Sequence, residues 1–119
     1  MSLAGTRVFI VEDEVLLLYT LEDMLEDLGC TVAGSASRLA QAVAQAGKLA
    51  FDVAILDVNI AGERVDPVAD LLAARGVRFF FATGYDRSSL PEPHRERVVM
   101  SKPYKVADLE AALDAVLST

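Results

Sequence analysis

Short apolar runs alternate with longer amphipathic stretches along the chain, and the two periods separate strands from helices. Residues 6–11 (TRVFIV) form an apolar, β-branched run that stops at Glu12, Asp13 and Glu14. From about residue 14 to 28, Leu18, Leu21, Leu25 and Leu28 fall on one helical face, which Gly29 closes as a left-handed cap. A shorter strand covers 31–35. Ser37 stands where an N-cap belongs and opens a helix to about residue 48, with Leu39, Val43 and Ala46 inward. Residues 52–56 (DVAIL) read as a fully buried third strand. Asp66 as N-cap, Pro67 at the first helical position and Gly76 past the end punctuate a third helix. Residues 78–82 (RFFFA) and 97–100 (RVVM) supply two more strands. A last helix over about 106–117 buries Leu109, Leu113, Val116 and Leu117.

Strands alternating with helices imply a parallel sheet covered on both faces. Five such repeats predict an α/β fold, a flavodoxin-like (βα)5 doubly wound five-stranded parallel sheet of order 2-1-3-4-5. One segment departs from the pattern. Residues 85–96 contain Pro91 and Pro93, which lack an amide donor and disfavour helix before them, so the fourth helix is predicted to be irregular or short.

The length, 119 residues, suits a single domain over 1–119 with no output domain. A net charge of −7 repels phosphate backbones and anionic lipid, so nucleic acid and membranes are not expected partners. Residues 15–19, the longest apolar run, are far too short to span a bilayer, and the first five residues do not resemble a signal peptide. A cytoplasmic protein is expected. Cys30, the single cysteine, reads as a free thiol partly buried near a helix end.

In this architecture ligands bind at the carboxyl ends of the strands. Glu12 and Asp13 follow the first strand, Asp57 the third, Thr83 the fourth, and Lys102 with Pro103 the fifth. The predicted strand order brings these four sets to one pocket. A carboxylate can accept a phosphoryl group as a nucleophile, but its charge repels the incoming oxygens, so a divalent cation is needed between them. Mg²⁺ takes hard oxygen ligands. Asp13 and Asp57 are candidate direct ligands, Glu12 a direct or water-mediated one, and the carbonyl of Asn59 a further one. Lys102 can pair with a phosphoryl oxygen as a point charge, and the Thr83 hydroxyl can donate to another. Three carboxylates so close repel one another, which leaves the metal-free pocket strained.

Glu12-Asp13, Asp57, Thr83 and Lys102-Pro103, in this order at these strand ends, make the chain resemble the receiver domain of two-component response regulators over essentially its full length. The resemblance implies that Asp57 is phosphorylated, that the acidic pair holds Mg²⁺, and that Thr83 and Lys102 sense the phosphoryl group. It implies a cis peptide before Pro103. Its implied partners are a histidine kinase or histidine phosphotransfer protein and a downstream signalling protein, and its implied role is a switch, not a turnover enzyme. Residues 79–85 (FFFATGY) and 57–70 (DVNIAGERVDPVAD) look like the FAT GUY group, single-domain regulators typical of alphaproteobacterial phosphorelays. Three features depart from the family. Val99 replaces the aromatic residue that swings inward in many receivers, and Tyr85 or Tyr104 are the candidates to substitute for it. Glu12 stands where aspartate is more usual, and the proline-rich 85–96 stretch replaces a regular helix.

Each residue also has a plainer reading. Asp13 alone would pass for a helix N-cap, Asp57 for a strand-end turn residue, Thr83 for a strand-end hydroxyl and Lys102 for a snorkelling surface lysine. His94, the only histidine, follows two prolines and reads as an exposed loop residue. Leu16 and Leu17 either dock the helical bundle of a histidine-bearing partner or bury themselves against the neighbouring helix. A receiver fold that binds partners without phosphorylation is the alternative to the phosphoryl switch. An aspartyl phosphatase would need a second acid where Asn59 stands, and a flavin phosphate would be repelled by Glu12, Asp13 and Glu14. The sequence carries no signal for oligomeric state.

Overall fold

The computed structural model describes residues 3–84 and 87–118. In chain order the elements are β1 (Arg7–Val11), α1 (Val15–Asp27), β2 (Thr31–Ala36), α2 (Leu39–Lys48) and β3 (Val53–Leu56). A small hairpin, β4 (Asn59–Ile60) and β5 (Glu63–Arg64), precedes α3 (Asp66–Ala74), β6 (Arg78–Thr83), β7 (Val99–Ser101) and α4 (Val106–Leu117). The five long strands pair in parallel in the order β2-β1-β3-β6-β7, which is the expected 2-1-3-4-5 once the hairpin is set aside.

The pleat sorts the apolar strand residues onto two faces. Phe9, Val11, Ala54, Leu56, Phe79 and Phe81 pack with buried residues of α2 and α3. Val8, Ile10, Val53, Ile55, Phe80 and Ala82 pack with those of α1 and α4. The run of three phenylalanines is divided by this alternation, with Phe79 and Phe81 edge-to-face at 5.8 Å and Phe80 on the far side.

Several helix details differ from the sequence pattern. The N-cap of α3 is Val65, because the Asp66 carboxylate accepts from Arg64 Nε at 3.0 Å instead of capping backbone. The N-cap of α2 is Arg38, while the Ser37 amide donates to Gln41 Oε1 at 3.2 Å. Ala42 and Ala46 are the buried residues of α2, with Leu39 and Val43 half-buried, since small side chains let the helix lie close to the sheet. Leu18, Leu28 and Leu117 are likewise half-buried at the rim of their core. The Cys30 thiol is free and buried, donating to the Leu3 carbonyl at 3.6 Å. Among the described residues no helix is long and apolar enough to cross a membrane.

Among the described residues no regular helix forms between β6 and β7. Its place holds two single 3-10 turns, Arg87–Ser89 and Glu92–His94, the second with a proline in its first turn. Backbone carbonyls that a helix would satisfy take donors from side chains here. Arg87 Nη1 donates to the carbonyls of Arg95 (2.7 Å) and Arg97 (2.8 Å). Arg95 donates to those of Leu90 (3.3 Å) and Ser88 (3.1 Å). His94 corrects the sequence reading. It is buried, with Nε2 2.9 Å from Asp70 Oδ1 and its ring edge-on to Phe79 at 5.4 Å. Pro91 starts a turn that directs the imidazole inward, where a loop reading placed it in water.

Candidate functional site: an acidic pocket at the carboxyl ends of the strands

Strand register builds the site. Val11 pairs with Leu56 and Leu56 with Phe81, so the residues that follow, Glu12 and Asp57, emerge side by side. Thr83 pairs with Ser101, which places Lys102 one step beyond the end of β6. Glu12, Asp13 and Asp57 each offer an oxygen, all within 4.8 Å of one another. Asp13, Glu14, Asp57, Asn59, Gly84 and Lys102 line one cavity of about 390 Å³.

Lys102 bridges the two most buried acids. Its Nζ lies 2.8 Å from Asp57 Oδ2 and 3.0 Å from Glu12 Oε1. The other Asp57 oxygen accepts the Val58 amide at 2.7 Å, and Glu12 Oε2 accepts the Glu14 amide at 3.2 Å. Burial, reinforced by the Asp57 charge, pushes the Glu12 carboxyl up from 4.5 to about 7 against the opposing pull of Lys102. Burial alone would lower the Lys102 ammonium, but hydrogen bonds to Asp57 and Glu12 outweigh it and raise the group above its ordinary value.

Asp13 is not the N-cap of α1; that position is Glu14, with no side-chain cap. Asp13 Oδ2 instead accepts the Ala61 amide at 2.8 Å. Ala61 sits at the tip of the β4–β5 hairpin with φ 52°, followed by Gly62 with φ 86°, the two left-handed residues of a two-residue hairpin turn. Asn59 in β4 takes the Gly62 amide on its side-chain oxygen at 3.0 Å. Neither the hairpin nor Ala61 was anticipated. Gly62 was its single sequence signal, because alanine is an uncommon occupant of a left-handed position.

The remaining predicted residues fall at graded distances from the pocket. Thr83 is fully buried, and its carbonyl accepts the Lys102 amide at 3.0 Å. The Lys102-Pro103 peptide is cis. Tyr104 is buried, and its hydroxyl has no hydrogen-bond partner among the described residues. Burial and the nearby Glu12 charge raise that phenol to about 12. Tyr85 lies outside the described residues. Val99 is half-buried against the core that contains Phe9 and Phe81. On the first turns of α1, beside the pocket, Leu16 is 81% exposed, with Val15 at 56% and Tyr19 at 57%, while Leu17 is half-buried.

The donor set tests well against a hard divalent cation. It consists of oxygens, with three carboxylates facing one ammonium.

A model of the response regulator receiver domain matches residues 8–86. SdrG from Sphingomonas melonis Fr1 is 43% identical, its solution structure superposing with a TM-score of 0.85 over 98% of this chain and 99% of that one. A second SdrG structure, from Pseudomonas melonis Fr1 and in a BeF3-activated conformation, is 43% identical with a TM-score of 0.80 over 96% of this chain and 98% of that one. The phyllosphere-induced regulator PhyR of Methylorubrum extorquens is 33% identical over 95% of this chain, which spans 44% of its length. The anti-anti-sigma factor PhyR from Bartonella quintana is 27% identical, with a TM-score of 0.79 over 96% of this chain and 48% of that one.

Proposed function

The chain belongs to the response regulator receiver family, and from that premise we propose that it is a phosphorelay switch that takes a phosphoryl group onto Asp57 from a phosphohistidine donor. The observation that carries this reading is the Lys102 ammonium, 2.8 Å from Asp57 within a cluster of three carboxylates. A nucleophile, a cation for the incoming oxygens and ligands for a metal stand together.

In the transfer, one Asp57 oxygen attacks phosphorus, an O–P bond forms, and the P–N bond to the donor imidazole breaks with its electron pair returning to nitrogen. Glu12, Asp13, Asp57 and the Asn59 carbonyl would hold Mg²⁺, which supplies charge neutralisation for the phosphoryl oxygens. Lys102 leaves its bridge between Glu12 and Asp57 to meet a phosphoryl oxygen, and Thr83 donates its hydroxyl to another. Those movements favour a second packing of the surface from the end of β6 to α4.

The donor docks on the exposed apolar turn of α1, where Leu16 and Leu17 meet the helical bundle that bears its histidine. The signal leaves through contact with a downstream signalling protein, and the kinship with an anti-anti-sigma factor makes an anti-sigma protein a candidate. The FATGY sequence at 81–85 favours the FAT GUY group. A second reading, a binding module that works without phosphorylation, is favoured by Val99, since no aromatic side chain stands there to follow Thr83.

Intact mass after incubation with acetyl phosphate tests the switch. A gain of one phosphoryl group that needs Mg²⁺ and vanishes in Asp57→Asn supports it. Failure to bind both Mg²⁺ and beryllofluoride supports the binding module. Undiminished transfer from the cognate kinase to Leu16→Ala and Leu17→Ala would remove the docking surface.

A further inference from the structure

The β4–β5 hairpin has one end in the acidic pocket and the other on the irregular segment. At its tip the Ala61 amide donates to Asp13 Oδ2 at 2.8 Å. At its base Arg64 Nη2 donates to the Ser89 carbonyl at 3.1 Å, while Nε holds Asp66 at 3.0 Å. The turn between them is tight, since Ala61 and Gly62 both adopt positive φ and Gly62 is tied back to Asn59 Oδ1. Ile60 is fully buried and anchors the strand in the core beneath α3. The hairpin is therefore a short rigid lever, not a loose loop. It joins a carboxylate of the pocket to the 87–97 segment by a direct hydrogen bond at each end.

We propose that Ala61 and Arg64 are positioning residues for the Asp13 carboxylate, and that the Arg64–Ser89 tie makes the 87–97 segment respond to a cation in the pocket. This rests on the Mg²⁺ reading above and names a route it lacks, one that does not need an aromatic residue at Val99. The physical basis is reciprocal. The Ala61 amide orients Asp13, whose carboxylate keeps lone pairs for a cation beyond that bond. A bound cation fixes the carboxylate, hence the hairpin tip, hence the Arg64 guanidinium. By linkage, cutting the tie at Ser89 must lower cation affinity by the factor with which the cation orders the segment.

The test uses Mg²⁺ alone, with affinity from calorimetry and amide hydrogen exchange as a second readout. In the wild type, saturating Mg²⁺ slows exchange across 88–97 several-fold. Arg64→Ala binds Mg²⁺ about threefold to tenfold more weakly, and Mg²⁺ no longer slows exchange in that segment. Exchange in β1 and β3 stays unchanged in the variant, which reports an intact fold. Asp66→Asn, which disturbs only the other guanidinium contact, keeps both wild-type properties. Equal Mg²⁺ affinity in wild type and Arg64→Ala, with the exchange response retained, overturns the lever and leaves the phosphorelay reading standing. A wild type that binds no Mg²⁺ overturns both.

Discussion

Lys102 and Asp57 form a close pair, 2.8 Å from ammonium to carboxylate, in a site where Lys102 also holds Glu12 at 3.0 Å. One cation thus answers two buried acids. Removing one partner of a buried pair typically costs about 3–5 kcal/mol, and the partial exposure of Lys102 places this site at the lower end. Lys102→Met therefore lowers stability in urea titrations without metal by about 3 kcal/mol. The same variant binds Mg²⁺ more tightly, because the competing ammonium is gone. Weaker Mg²⁺ binding by Lys102→Met would contradict the competition.

The raised Glu12 carboxyl gives a pH dependence with a definite sign. Mg²⁺ binding requires the ionised form, so affinity falls as pH drops below about 7, by about tenfold per unit at the limit. Folding in the absence of metal runs the other way. The native state holds this proton more tightly than the unfolded chain, so the Glu12 contribution to stability is complete below 4.5 and is lost as pH rises to about 7. Calorimetry in buffers of different ionisation enthalpy checks the first effect, and urea titrations across this range check the second. Glu12→Gln abolishes both.

His94 and Asp70 contribute unequally although they touch. Asp70 is largely exposed, so water screens the pair and Asp70→Ala costs under about 1 kcal/mol. His94 fills space against Phe79, and His94→Ala leaves that ring without its edge contact at a cost of about 2 kcal/mol. Equal losses for the two variants in urea unfolding would show that the contact with Asp70, not packing, holds the turn.

Ala61→Gly relieves a left-handed alanine while keeping the amide that Asp13 accepts. A net stabilisation of about 0.5–1 kcal/mol is expected, the strain relief exceeding the extra chain entropy of glycine. Mg²⁺ affinity is unchanged. Thermal unfolding and calorimetry read the two quantities.

The sheet order was legible because each strand is a compact apolar run and each helix has its own period, so local pattern and global fold agree. The pocket was legible for a related reason: Glu12, Asp13, Asp57 and Lys102 directly follow the strands that position them. What escaped is what depends on long-range contacts. The inward turn of His94 requires Asp70 and Phe79 from other elements, and no local pattern around two prolines reports them. The hairpin is marked by Gly62 alone, and Ala61 adopts its conformation against the preference of its side chain. The α3 cap shifted by one residue because Arg64 claims the Asp66 carboxylate that local rules assign to the backbone.

The sheet divides the apolar interior of the described residues into two clusters that share no residue. Damage on one side stays there: Leu72→Ala beneath α3 and Leu113→Ala beneath α4 should have additive costs, to within about 0.5 kcal/mol. The chain is thus two independently mutable compartments behind a common wall. Substitutions can accumulate under α2 and α3 without disturbing the compartment that seats α1 and its exposed leucine.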